Sequence, residues 1–170
     1  DYYDPDEMGW GALRVINDDL VAPGEGFPMH GHRDMEIVTV ILDGALQHRD
    51  SMGNGTVIRP GEVQRMSAGS GIRHSEFNPD AEAATRLLQI WIMPVRSGIT
   101  PGYEQVSVPD TPNVWRQLAS PDGAGGGVSI HQDARLLRAG LSAGNILMHA
   151  LAPGRLAYVQ MIGGSVSVNA

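Results

Sequence analysis

The sequence predicts an all-β fold built around a small barrel, and three observations carry that expectation. Short apolar, β-branched runs recur roughly every eight to twelve residues, with Gly, Pro, Asn and Asp between them. No stretch repeats apolar residues at the period of an amphipathic helix. Two runs far apart in the chain, His30-x-His32 and His74-x-Glu76, each place two potential metal ligands on one face of a strand, and a barrel can converge such pairs on its axis.

Taken in order, residues 1 to 9 are polar and turn-rich, and Trp10 to Ile16 reads as a first strand closed by Asn17-Asp18-Asp19. Leu20 to Gly24 is a short strand ending in a Pro23-Gly24 turn. The histidine pair follows, and Ile37 to Leu42 is apolar on both faces, as expected of a strand between a barrel interior and another layer. Asp43-Gly44 turns the chain into Ala45 to Arg49, then a hairpin over 50–55 and a return strand from Thr56 to Arg59. Val63 to Ser67 leads to the second ligand run, and Arg86 to Met93, stopped by Pro94, is the clearest strand. Residues 99–127 carry four prolines and finish in Gly125-Gly126-Gly127, which reads as a connection with little regular structure. Val128 to Leu137 and Gly144 to Leu151 look like strands again.

An internal echo supports duplication. Val21-Ala22-Pro23-Gly24 is matched by Leu151-Ala152-Pro153-Gly154, and Ile41-Leu42-Asp43-Gly44 by Met161-Ile162-Gly163-Gly164. The second copy is shorter and lacks the part that holds His30 and His32. The expected organisation is a metal-binding barrel over 1–98, a Pro/Gly-rich connection over 99–127 and the start of a metal-free second barrel over 128–170. The chain starts at Asp1 and stops inside a strand-like alternation, which suggests pieces missing at both ends.

Composition narrows the function classes. At 170 residues and 42% apolar content the chain can bury a core. The net charge of −7 and dispersed basic residues argue against direct nucleic-acid binding. No apolar run approaches the length of a bilayer span. With no cysteine, any metal must rest on imidazole and carboxylate, and a cytoplasmic location fits, or a nuclear one in a eukaryote.

The four candidate ligands are His30, His32, His74 and Glu76. Three imidazoles and one carboxylate leave a divalent ion with residual charge and open positions, a set suited to Fe(II) first, and to Mn, Co, Ni, Cu or four-coordinate Zn. Glu36 reads equally as a further inward group, as a partner orienting a ligand, or as an ordinary charge at a strand start. His48 reads as a surface hairpin residue ahead of one facing the interior, and His131 and His149 as structural or exposed. Arg33 and Arg73 either guide an anionic substrate or are solvated surface arginines.

These residues also resemble a known family. Gly24, His30-x-His32-x3-Glu36 and Gly44 resemble the first cupin motif, and Gly71-x2-His74-x3-Asn78 the end of the second. Phe27-Pro28-x-His30-x-His32, His48-x-Asp50-Ser51-x-Gly53-Asn54-Gly55, Ile58-x-Pro60-Gly61 and Met66-Ser67-Ala68-Gly69-x-Gly71-Ile72-x-His74-Ser75-Glu76 resemble the pirin family of bicupins. The resemblance implies an N-terminal cupin barrel of the jelly-roll type holding the metal on those four residues, and part of a metal-free second cupin. It implies a dioxygenase that cleaves a flavonol such as quercetin with dioxygen; in such a reaction the candidate catalytic residue is Glu76, as acceptor of the substrate hydroxyl proton. The alternative it leaves open is a noncatalytic metal- or redox-sensing module acting through a protein partner, as a transcriptional co-regulator does.

Overall fold

A computed structural model describes residues 9–169; the polar stretch expected over 1–9 falls, apart from Gly9, outside them. The first strands are β1 (Leu13–Val21), β2 (Gly26–His32), β3 (Glu36–Asp43), β4 (Leu46–Asp50), β5 (Gly55–Ile58) and β6 (Glu62–Ser67). There follow β7 (Ile72–Phe77), β8 (Thr85–Ile92), β9 (Gly102–Ser107), β10 (Arg116–Ser120), β11 (Val128–Ser129) and β12 (Leu136–Arg138). No α-helix occurs among the described residues, so none is long and apolar enough to cross a membrane.

A five-stranded sheet in the order β1-β8-β3-β6-β9 faces a four-stranded sheet in the order β2-β7-β4-β5, and their inner faces form the barrel interior. Side-chain alternation explains its layering. Inward residues of β3 run Ile37, Thr39, Ile41, and those of β8 run Leu87, Gln89, Trp91, so a polar level lies between two apolar ones. One apolar plug joins Val21, Ile41 and Leu87 to Leu46 and Ile58 of the facing sheet. The other joins Ile37 and Met66 to Ile72 and Ala68, with Trp91 packed on it.

The outer face of the five-stranded sheet is apolar too, which is why β3 reads apolar on both sides. Val38, Val40, Val63, Leu88 and Ile90 pack there against Leu118, Ala119, Val128 and Ile130 of a small third sheet ordered β11-β10-β12. Full burial of each such side chain contributes about 1.5–3 kcal/mol.

Several expectations change. Asn17-Asp18-Asp19 does not close a strand: it lies inside β1 and pairs with Gln89, Leu88 and Leu87. The ladder with β8 satisfies its backbone, and Asp18 turns outward to a two-point ion pair with Arg86. Tertiary pairing outweighs the turn preference of these residues. The segment expected to carry little regular structure holds β9, which extends the first sheet by pairing with β6, and β10. Of the strand expected over 128–137 only the ends are strands, because Ile130 plunges into the core and His131 is held by Val95 N–H on its carbonyl. Residues 144–151 form no strand. A strand needs a ladder partner, and these residues have none among the described residues; Ile146 and Met148 are more than four-fifths exposed.

The duplicated turn is visible in the backbone. Glu25 N–H bonds to Ala22 O at 3.1 Å and Arg155 N–H to Ala152 O at 3.1 Å, with Gly24 and Gly154 at φ 69° and 79°. Gly44 needs its positive φ and its missing side chain: a Cβ there would stand 2.6 Å from Thr85 Oγ1.

Candidate metal centre

Strand β2 carries Pro28 in mid-strand, and its register against β7 slips between Phe27 and His30. Phe27 stands opposite Glu76 and His30 opposite His74, so β2 spends one extra residue on the interval, a bulge that re-aims the chain. The result is a trio. Ring centroids are 4.7 Å apart for His30 and His32, 4.4 Å for His30 and His74, and 4.9 Å for His32 and His74. One nitrogen from each lies within 4.8 Å of the others.

Hydrogen bonding fixes what these rings can do. His30 Nδ1–H donates to the Pro28 carbonyl at 2.8 Å, which leaves Nε2 as a free lone pair. His32 Nε2 and both ring nitrogens of His74 are buried without a partner. Burial pushes the His74 pKa down to about 4 and lowers that of His32, with the neighbouring imidazoles acting the same way, so both present neutral rings at pH 7.

Glu76 stands one step along β7, and it belongs to a second trio with His48 and His74 rather than to one tight group with His30 and His32. Gln89 Nε2–H donates to Glu76 Oε2 at 2.9 Å, and Trp91 Nε1–H to Gln89 Oε1 at 3.0 Å. His74 Nδ1 and His48 Nδ1 are 3.9 and 4.0 Å from Glu76 Oε1, too far for a direct hydrogen bond. Burial alone would raise the Glu76 pKa, but His48, the His74 ring and the Gln89 amide outweigh it and hold the carboxyl below its ordinary value. It is therefore a carboxylate at neutral pH.

Among the described residues, the unpartnered buried side-chain atoms other than Arg138 Nε sit on this polar level: His32 Nε2, His74 Nδ1 and Nε2, Thr39 Oγ1 and Gln64 Oε1. Buried polar groups without partners are costly, so neutral nitrogens converging beside a carboxylate fit a divalent cation. An open depression of about 430 Å³, lined by His32, Arg33, Ser51 and Arg73 among others, reaches one edge of the trio.

Other candidates land differently. His48 is not a surface residue: it is fully buried opposite Glu76 and bonded to Asp50 and Gln64. The i, i+2 spacing of His48 and Asp50 puts both on one face of β4 but does not say which face turns inward. Glu36 is not an inward group: it is buried on the other face of β3, accepting from Ser67 Oγ at 2.9 Å and from His131. Positive φ at Asp34 breaks the alternation between His32 and Glu36. His131 and His149 are exposed, the latter edge-on to Trp115. Arg33 and Arg73 are exposed at the depression. Gln89, Trp91, Thr39 and Gln64 gave no signal as single polar or aromatic residues in apolar strands.

The Pirin family model matches residues 1–92, and the model of the quercetinase C-terminal cupin domain matches 117–170. The chain belongs to the pirin family. A quercetin 2,3-dioxygenase of Escherichia coli (strain K12) is 47% identical over 168 residues, 99% of this chain and 72% of that protein. A pirin-like protein of Caulobacter vibrioides is also 47% identical, over 99% of this chain and 73% of its own length. Among solved structures, the bacterial pirin YhhW of Escherichia coli in complex with nickel(II) superposes with a TM-score of 0.76 at 50% identity. That match covers 81% of this chain and 59% of the other, so the chain spans less than two thirds of that solved pirin. The barrel is thus the N-terminal cupin of a pirin, and the chain covers part of the second cupin.

Proposed function

We propose that this pirin is a metal-dependent dioxygenase that cleaves a flavonol such as quercetin with dioxygen, using a divalent ion held by His30, His32, His74 and Glu76 in the first barrel. The observation that carries the reading is the set of neutral, unpartnered imidazole nitrogens beside an ionised, buried carboxylate. Relatives named quercetin 2,3-dioxygenase and the nickel complex of a related pirin support it. The proposed division is a metal-binding barrel over 1–98, a connection over 99–127 that lends β9 to the barrel's sheet, and a metal-free second cupin from 128, in a cytoplasmic protein.

When bound, a divalent ion, Fe(II) by preference for dioxygen chemistry, would supply Lewis acidity and redox access to dioxygen. The chain's own groups do the rest. His30, His32 and His74 offer ring nitrogens, the first oriented by the Pro28 carbonyl. Glu76 accepts the flavonol hydroxyl proton on Oε1, the oxygen that Gln89 leaves free. The apolar plugs on either side of the polar level restrict water and strengthen the charge interactions within it. Arg33 and Arg73 flank the edge from which a flavonol would approach, and their charge would favour the anion formed once the hydroxyl proton is lost.

Metal content and oxygen-dependent flavonol loss, measured on the same samples reconstituted with each candidate metal, test the reading. Turnover that follows occupancy of one metal is the expected result. Full occupancy with no loss of any flavonol, together with partner binding that changes with the oxidation state of the metal, would replace it by a sensing module.

A further inference from the structure

His48 supplies no ligand in the reading above, yet it is one of the most completely buried polar side chains in the barrel. It stands on β4 directly opposite Glu76 on β7. Its ring is tied at both nitrogens: Nε2–H donates to Asp50 Oδ2 at 3.2 Å, and Gln64 Nε2–H donates to Nδ1 at 3.2 Å. Tyr103 lies against the ring at a centroid distance of 5.0 Å. Asp50 is itself pinned, accepting from Met52 N–H at 2.9 Å, Asn54 N–H at 3.0 Å and Asn54 Nδ2–H at 2.8 Å.

The 51–54 turn therefore fixes Asp50, Asp50 fixes the imidazole, and the imidazole forms the wall that Glu76 Oε1 faces at 4.0 Å. Gln89 restrains only the other oxygen. With both ring nitrogens engaged, His48 has no lone pair to offer an ion, although it lies within ligand distance of His74 and Glu76.

We propose that His48, locked by Asp50 and Gln64, is a positioning residue that sets where the Glu76 carboxylate stands, and through it the affinity and geometry of the metal centre. This rests on the reading of the centre given under Proposed function. Groups that hold a ligand from behind are known to change metal affinity or activity by ~10–100-fold when removed.

The test uses the whole chain loaded with Co(II), whose visible spectrum reports ligand geometry, with affinity measured by chelator competition and Tm recorded for each variant. His48→Leu should weaken Co(II) binding by ~10–100-fold and change the spectrum. His48→Asn should retain more of both, because its amide oxygen can still accept from Gln64 Nε2–H near the Nδ1 position and so keeps an anchored side chain facing Glu76, although it fills less space. Packing alone would favour Leu over Asn, so the order separates positioning from filling. Asp50→Asn, which leaves the imidazole in place and changes only its anchor, should shift the spectrum in the same direction as His48→Leu, and it serves if the Leu variant is unstable. Equal behaviour of the Leu and Asn variants, or parental spectra in every variant, overturns the positioning role while leaving the metal centre standing. A parent chain that binds no Co(II) overturns both.

Discussion

At His74 both ring nitrogens are buried and neither has a partner, and this one side chain sets much of the pH behaviour of the metal-free protein. Burial lowers its pKa from 6.5 to about 4, and that of His32 falls as well. The unfolded chain takes up a proton near pH 6.5 that the folded chain refuses until about pH 4. Stability is therefore full above pH 6.5 and declines as the pH drops through that window, by about 2 kcal/mol between pH 7 and pH 5. Urea unfolding of the metal-free chain at those two pH values checks it, and equal stability would contradict it. Glu76→Gln keeps the size and one oxygen donor but removes charge and basicity. Metal binding should weaken moderately while flavonol turnover falls ~10²–10⁴-fold, and parallel loss of both would argue against Glu76 as the proton acceptor. Strand alternation made the clustering of His30, His32 and His74 legible, but not the place of Glu76 in a second group with His48. It could not reveal His48, whose burial depends on a cross-strand neighbour, or Glu36, whose phase is reset by the left-handed Asp34.

Among the elements, the junction of β2 and β7 carries the centre, and its tolerance is smallest at Gly26. A Cβ at that position would stand 2.1 Å from the Glu76 carbonyl oxygen and 2.6 Å from Phe77 Cα, both backbone atoms that cannot swing aside. Gly26→Ala should therefore separate the two strands where Glu76 sits. The expected cost is about 1–3 kcal/mol in unfolding, with metal affinity reduced in the same variant. Calorimetry and metal titration read the two effects, and a variant with parental values in both would mean that β2 tolerates the displacement. Strand positions were largely readable from apolar runs and turn residues, down to the Pro23-Gly24 and Asp43-Gly44 turns. The failures share one cause. Asn17-Asp18-Asp19 is a strand because β8 pairs with it, and residues 144–151 are not because nothing described pairs with them, and pairing is a property of distant segments rather than of local sequence.

Across the whole molecule, metal binding and folding should be linked unevenly. The first barrel is two facing sheets with both faces of the five-stranded sheet covered, tied to β11 through Arg65, which donates to Ser129 O at 2.8 Å and pairs with Glu104 at 2.9 Å. Residues 140–169 are mostly exposed and carry no ladder. A ligand that binds only the folded state stabilises it by about 2.7 kcal/mol at a hundred times Kd, and the ion of the proposed centre would be held by strands from distant parts of the chain. Hydrogen exchange should therefore be slow in β3, β7 and β8 and fast over 140–169 before any metal is added, because amides without ladder partners exchange by local opening alone. Adding metal at a hundred times Kd should slow exchange by roughly a hundredfold in the strands that open only by global unfolding, and should leave 140–169 unchanged. Protection confined to β2 and β7 would mean that the centre opens locally without the rest of the barrel. Protection extending equally through 140–169 would mean that the second segment folds with the first as one unit, against the proposed division at the connection.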